Sequence, residues 1–287
     1  MTQPPQPSGG GRLLNTFINR PVEDHGSGWS NLWDEGNSDL WDRGKTSPAL
    51  VDVIEQEQEL LNPFTADGKR KKAILTTEQF QGCGRGYEVV MLALHGFDAY
   101  GLEISATAVK EAENYAATEM QNPSAYHFGN RQSPSRSDSP GTATFLQGDF
   151  FSSKWGSKGG VDGTTKFDLA YDYTFLCALH PTQRTQWAAS MARILKHDGH
   201  GLLICLEFPL YKDPQLPGPP WGLKGVHWDL LALGGDGQVF GVVGEDGKEK
   251  CANEVEKGSF RRVLYTKPAR SYEVARGTDM LSVYARK

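Results

Sequence analysis

GCGRG, YEVVMLALHG and DAYGLEIS follow one another almost without a break through residues 82–105. Glycines let a backbone turn tightly and approach a ligand with no Cβ in the way. YEVVMLALHG reads as a buried helix closed by Gly96, and DAYGLEIS as a strand. The free N–H groups and positive dipole end of a helix that follows such a turn favour a polar ligand. Glu103 stands seventeen residues past Gly86, where the second strand ends. A carboxylate there can accept hydrogen bonds from the two hydroxyls of a ribose. The plainer reading of Glu103 is a surface acid at a strand end. A glycine turn alone is weak evidence; its place between strand and helix gives it weight.

Outward from this stretch the alternation continues. AILTTEQF (73–80) is a strand with an unusually polar end, and ATAVKEAENYAATEM (106–120) is a helix. ATFLQGDFF (143–151), KFDLAYDYTF (166–175) and HGLLICLEFPL (200–210) read as strands, and TQRTQWAASMARILKHDG (182–199) as a helix. Strands alternating with helices predict an α/β fold: a Rossmann-like, doubly wound, seven-stranded, mostly parallel sheet with helices on both faces. RRVLYTKPARSYE (261–273) and DMLSVYARK (279–287) add a closing antiparallel hairpin, so the C-terminal strand runs antiparallel. Residues 1–12 are rich in Pro, Gly and Gln and read as a disordered tail, leaving 13–287 as a single domain. Within it, 13–46 reads as a loop-rich segment whose Trp29, Trp33 and Trp41 need something to pack on. SPALVDVIEQEQELL (47–61) reads as an amphipathic helix capped by Ser47 with Pro48 in its first turn, and the Pro/Ser-rich 121–141 as an exposed insertion.

Several function classes are disfavoured. The net charge of -5 suits a phosphate backbone poorly, so no nucleic-acid partner is expected. No apolar run approaches the ~18 residues of a membrane span, and MTQPPQPSGGGR has no apolar core of a secretory signal. The four cysteines form neither a CxxC pair nor a zinc-ligand spacing, so no metal is expected and the thiols read as reduced, in a cytoplasmic protein.

Two further motifs lie at strand ends, where open α/β sheets bind ligands. In GDFF (148–151), Asp149 can accept from an adenine amino group while Phe150 packs on the ring, or the pair is an acidic turn with core aromatics. Asp172-Tyr173 closes the fourth strand; Tyr173 could equally be a core aromatic. The turn also departs from the dinucleotide fingerprint GxGxxG, its third glycine coming one residue early. GxGxG is the form common among S-adenosylmethionine (SAM)-dependent methyltransferases.

Joined together, these stretches resemble the thiopurine S-methyltransferase family, especially its halide/thiol methyltransferase branch. WDRGKTSPAL (41–50), residues 82–105, GDFF, the run 167–210 with DYTFLCALHPTQR (172–184), and GTDMLSVYARK (277–287) carry the likeness. The resemblance implies a Rossmann-like fold and SAM as cofactor, with S-adenosylhomocysteine as product. It places Trp33 and Trp41 over the cofactor as part of a lid formed by residues 13–46. Gly82, Cys83 and Gly84 lie beside the methionine moiety, Glu103 and Ile104 at the ribose, and Asp149 with Phe150 at the adenine. Asp172 and Tyr173 sit where cofactor and acceptor meet, and Arg184 near the acceptor. Gln81 departs from the proline usual in the family, the 121–141 insertion is atypical, and 221–257 match weakly.

The expected reaction is an in-line displacement onto a thiolate, bisulfide, thiocyanate or halide. Such nucleophiles need no general base. Tyr173 would position the acceptor, and Arg184 would draw in negative charge. The plainer reading of Arg184 is an ordinary solvated residue, while His180 and Cys177 read as structural. The alternatives are O- or N-methylation of a secondary metabolite, which needs a base near the methyl group, and a catalytically silent SAM-binding protein. The expected partner is a small methyl acceptor, and the expected state a monomer or weak dimer.

Overall fold

The computed structural model describes residues 10–76, 83–129, 139–239, 243–244, 246–248 and 255–287. Its centre is β4 (Leu169–Tyr173), LAYDY, in which all five residues are buried. A strand without an exposed alternate position is covered on both faces. β4 lies between β1 (Lys72–Leu75) and β5 (Leu202–Glu207), both in parallel register with it. β1 continues to β2 (Asp98–Glu103) and β2 to β3 (Ala143–Gln147), also in parallel. β6 (Phe260–Thr266) and β7 (Met280–Arg286) complete the sheet in the order β3-β2-β1-β4-β5-β7-β6. β7 is antiparallel to both neighbours, so six strands run one way and β7 the other. The C-terminal hairpin therefore inserts its second strand into the sheet and leaves its first at the edge. The strand order reverses between β1 and β4, and a crevice opens at the carboxyl ends of strands at such a switch point.

Alternate side chains divide the strands between two cores. One face carries Ala73, Leu75, Tyr171, Tyr173 and Ile204 against α3 (Pro48–Gln56) and α4 (Tyr87–Leu94). The other carries Ile74, Ala170, Leu203 and Cys205 against Trp187, Met191 and Ile194 of α7 (Arg184–Ile194) and the helical turn Val226–Trp228. α4 is buried along its whole length, as the apolar run YEVVMLAL requires. α5 (Ala106–Glu119) starts at Ser105, whose side chain accepts from the Ala108 N–H. Ser47 caps α3 in the same way, with Pro48 in the first turn, but the helix stops at Gln56, short of the expected 61.

The N-terminal segment differs from its sequence reading. It is helical: α1 (Gly10–Phe17) begins inside the expected tail, and α2 is His25–Asp34. Gly, Ser and Asn in HGSGWSNLWD are weak helix formers and hid a helical spacing. Trp29, Leu32 and Trp33 fall at i, i+3 and i+4, and all three are buried. They join Leu13, Phe17, Trp41, Ala108 and Ala178 in a third core at the carboxyl rim of the sheet.

The insertion is also less exposed than its composition suggests. His127 is fully buried, with Nδ1 2.8 Å from Thr46 Oγ1 and Nε2 2.9 Å from Tyr115 OH. The Gly129 N–H donates to Glu55 Oε1 at 2.8 Å. A buried histidine was invisible beneath the surrounding Ser and Pro. The polar strand end 77–80, Gln81 and insertion residues 130–138 lie outside the described residues.

Glu88 on α4 is buried, accepts from the Ser47 N–H at 2.8 Å and has Oε1 3.1 Å from Tyr272 OH. Burial raises its pKa to about 7. The folded state therefore holds a proton that the unfolded chain releases near pH 4 to 5. Its contribution is full below that range and is lost as pH rises through 7. Glu88→Gln should gain stability relative to the wild type between pH 5 and pH 8, by on the order of 1 to 2 kcal/mol. Urea denaturation at both pH values measures this; an equal difference at the two would refute it.

Candidate active site

Four features lie at the carboxyl rim of β1, β2 and β3. The first is the glycine turn, of which Cys83–Gly86 are described while Gly82 lies outside the described residues. Gly84 and Gly86 have φ of 53° and 80°, the left-handed region that disfavours a side chain. A Cβ at Gly86 would also stand 2.5 Å from the Phe145 ring. Cys83 is buried beneath the turn as a free thiol. Burial pushes its pKa well up, so it packs rather than reacts.

The second is Glu103, only 1% exposed at the end of β2. Its Oε2 accepts from the Gly84 N–H at 3.1 Å and its Oε1 from the Ser105 N–H at 3.0 Å. Burial lifts its pKa to about 7. A carboxylate offers about four acceptor directions, so two remain beyond these backbone donors. Ile104 beside it is half-buried, and its carbonyl accepts from Gln147 at 3.3 Å.

The third is the turn after β3. Asp149 is exposed, with Oδ1 accepting from the Phe151 N–H at 2.8 Å. Phe150 is fully buried and meets Phe175 edge-on, ring centroids 5.1 Å apart. This corrects the expectation that Phe150 faces a ligand: its ring belongs to the core between β3 and α7. Phe151 is the half-buried ring that the same turn leaves near the surface.

The fourth is the tryptophan cluster of the N-terminal segment. Trp41 meets both Trp29 and Trp33 edge-on, ring centroids 5.9 Å apart in each pair. Arg85 of the glycine turn lies over Trp33, its guanidinium carbon 5.9 Å from the ring. Arg85 also pairs with Asp42 at 2.7 Å and Glu111 at 3.2 Å, latching the N-terminal segment to the turn. Asp42 accepts from the Gly44 N–H at 2.7 Å and from Tyr87 OH at 3.2 Å. Among the described residues, Trp33 Nε1 is a buried donor without a hydrogen-bond partner. Such an orphan beside a glycine turn suits a bound acceptor group.

The remaining expected residues do not form one cluster. Neighbours on a strand point to opposite faces, and Asp172 and Tyr173 do so here. Asp172 is buried on the α7 side, where Trp187 Nε1–H donates to it at 2.8 Å; burial raises its pKa to about 7. This carboxylate anchors Trp187 and accepts from the Leu176 N–H at 3.4 Å. Tyr173 is buried on the other side, stacked on Tyr272 with centroids 5.5 Å apart and lying 6.4 Å from Phe208. Tyr272 OH donates to the Lys45 carbonyl at 2.7 Å, which brings Tyr173 near the base of the tryptophan segment.

Arg184 is no solvated residue. It is 1% exposed and lines a cavity of about 560 Å³ with Arg20, His25, His180 and Trp221. Its two terminal nitrogens donate to the Gly237 carbonyl at 2.8 Å and the Gly222 carbonyl at 3.2 Å. Burial lowers its pKa to about 10, so it stays charged at neutral pH. His180 accepts from the Thr182 N–H at 3.4 Å as a cap and also faces this cavity. Cys177 Sγ donates to the Thr174 carbonyl at 3.1 Å, and burial pushes its pKa up, which leaves it a structural thiol. Sequence reasoning missed Arg20, His25 and Trp221, which come from elements far apart in the chain. No local pattern joins them.

The family model for thiopurine S-methyltransferase matches residues 25–232 of the chain. A probable thiol methyltransferase 2 of Arabidopsis thaliana is 33% identical over 249 residues, covering 84% of this chain and 90% of that protein. Thiocyanate methyltransferase 1 of the same plant is 30% identical over 207 residues, covering 72% and 70%. Among solved structures, a magnesium protoporphyrin IX methyltransferase from Synechocystis, with S-adenosylhomocysteine bound, superposes with a TM-score of 0.53 at 14% identity, over 93% of this chain and 99% of that one. At that identity the likeness concerns the fold alone. The sequence matches, taken with the glycine turn and Glu103 at one rim of the sheet, lead to one conclusion: the chain belongs to the thiopurine S-methyltransferase family and is a methyltransferase.

Proposed function

We propose that this methyltransferase transfers the methyl group of SAM to a small nucleophile, foremost a thiolate, thiocyanate or bisulfide, and also halide. The observation that carries the reading is the buried Glu103 carboxylate held against Gly84 at the switch point of the sheet. When bound there, SAM supplies a methyl group already activated on a sulfonium. Glu103 accepts from the ribose hydroxyls, and Asp149, with Phe151 rather than Phe150 as its ring, holds the adenine. Gly84, with Gly82 before it, gives the methionine moiety room, and Trp33 Nε1 offers it a donor. Trp41 and the helices of residues 13–46 close over the site and keep water out. Tyr173 positions the acceptor, and Arg184 supplies fixed positive charge that favours an anionic nucleophile. The acceptor reacts as an anion, and no residue need take a proton from it.

The reading also places the enzyme in the cytoplasm, as a monomer or weak dimer acting on small molecules. Support comes from the free, buried thiols of Cys83, Cys177 and Cys205 and the net charge of -5. No helix among the described residues is long and apolar enough to cross a membrane.

Glu103→Ala should weaken SAM binding by about 10- to 100-fold, the loss of charge-assisted hydrogen bonds worth roughly 1.5 to 3 kcal/mol. Calorimetric titration with SAM and S-adenosylhomocysteine reads this directly, and wild-type affinity in a folded variant would exclude the assignment. Tyr173→Phe and Arg184→Lys should each lower kcat/KM for a thiol by about tenfold or more, roughly 1.4 kcal/mol of transition-state stabilisation. If both keep the wild-type value, their roles are wrong. The ratio of thiol to iodide methylation should rise with pH up to the thiol's own pKa, about 8.5 for a simple thiol, because iodide does not titrate. A pH-independent ratio in initial-rate assays would point to an enzymic base.

A further inference from the structure

The cavity around Arg184 is built by segments that the family likeness only partly covers. Phe17, Ile18, Arg20 and Val22 line it, and all four precede residue 25, where the family match begins. The far wall comes from His180 and Arg184 behind β4 and from Trp221. The volume of about 560 Å³ far exceeds what a single halide or thiocyanate ion needs and falls in the range of small-molecule sites.

The lining carries charge of one sign. Arg20 and Arg184 both face the cavity, and no carboxylate is among its described lining residues. Among the described residues, Arg184 Nε is buried without a hydrogen-bond partner. Arg20 is half-buried; its guanidinium donates a long hydrogen bond, 3.4 Å, to the Asp24 carbonyl and lies 6.0 Å from the centre of the Phe17 ring. His25 and His180 stand edge to face with centroids 6.1 Å apart. Burial lowers the pKa of both, with Arg20 lowering that of His25 further, and His25 and Arg184 that of His180. At neutral pH the fixed positive charge is therefore that of the two guanidinium groups. Asp24 and Glu23 beside His25, and Asp236 beside Arg184, oppose it without lining the cavity. The lining also carries the apolar and aromatic side chains Phe17, Val22, Trp221 and Val239, beside the polar Gln215 and Gln238. Ile18, 54% exposed, adds an apolar side chain to the lining.

We propose that this cavity takes an organic thiol that carries a carboxylate, and that Arg20 of the N-terminal segment is the residue that selects for the acid. The proposal rests on the methyltransferase reading and narrows it. A flat or branched carbon skeleton fills the space between Phe17 and Trp221. Its carboxylate meets a guanidinium in a partly buried setting, where a charge-assisted, bidentate hydrogen bond is strongest. Inorganic anions reach the same charge but leave most of the cavity unfilled.

The test compares 4-mercaptobenzoate with 4-mercaptobenzamide, which have nearly the same shape and differ in charge. Wild-type enzyme should favour the acid by at least tenfold in kcat/KM. Arg20→Gln should bring that ratio near one, mainly through KM, and Arg20→Lys should restore part of it. A wild-type ratio near one, or a ratio that survives in Arg20→Gln, overturns the proposal, as does methylation of iodide and thiocyanate with no organic thiol turned over. Calorimetric titration of the enzyme–S-adenosylhomocysteine complex with the two compounds reads the cavity independently of turnover. Acid-selective binding with no methylation of any nucleophile would support the cavity assignment and overturn the methyl-transfer reading beneath it.

Discussion

A single buried carboxylate organises the working rim of this protein. Glu103 has given up water, and a carboxylate without partners in such a place would be costly. Two backbone N–H donors, from Gly84 and Ser105, offset that cost. The first sets the height of the glycine turn over the sheet, and the second steers the chain from β2 into α5. Because Ser105 also caps α5, strand end, turn and helix start are fixed relative to one another by one group. Burial still raises its pKa to about 7, so the two donors offset only part of that cost. A site held this tightly before any ligand arrives has less ordering left to do on binding.

From this rim the molecule extends in two directions of different character. Beneath it lie the two aliphatic cores on the faces of the sheet. Above it lies the aromatic third core, whose link to the glycine turn is electrostatic. Arg85 contacts Asp42, Glu111, Ser38 and Trp33 and so spans the boundary between body and cover. Partly buried ion pairs of this kind are screened less than fully exposed ones but remain open to water on one side.

How much of this could be read from the chain depended on whether the signal was local. The strand–turn–helix–strand run of 82–105 was legible because glycines, apolar run and Glu103 all lie within one stretch. The parallel sheet with one antiparallel strand followed from alternation alone. The Phe150 expectation failed because GDFF offers two adjacent rings, and only the turn held by Asp149 decides which one enters the core. The surroundings of Asp172 were not legible either: strand periodicity places it opposite Tyr173, and its partner Trp187 stands fifteen residues on. The N-terminal helices were hidden by residues of poor helix propensity, stabilised by tertiary burial of their tryptophans. The cavity of Arg20, His25 and Arg184 was not legible as a unit in the sequence, since four separate segments build it.

The placement of β7 between β5 and β6 carries a consequence for how the molecule assembles. β6 comes earlier in the chain, yet in the sheet it hydrogen-bonds only to β7. It cannot dock until residues 280–286 have paired along Leu202–Glu207. Until then the edge of β5, six buried residues long, presents unpaired backbone donors and acceptors to any passing strand. The interval between synthesis of β5 and arrival of β7 is thus the period of greatest exposure to misassembly, and anything that delays β7 prolongs it.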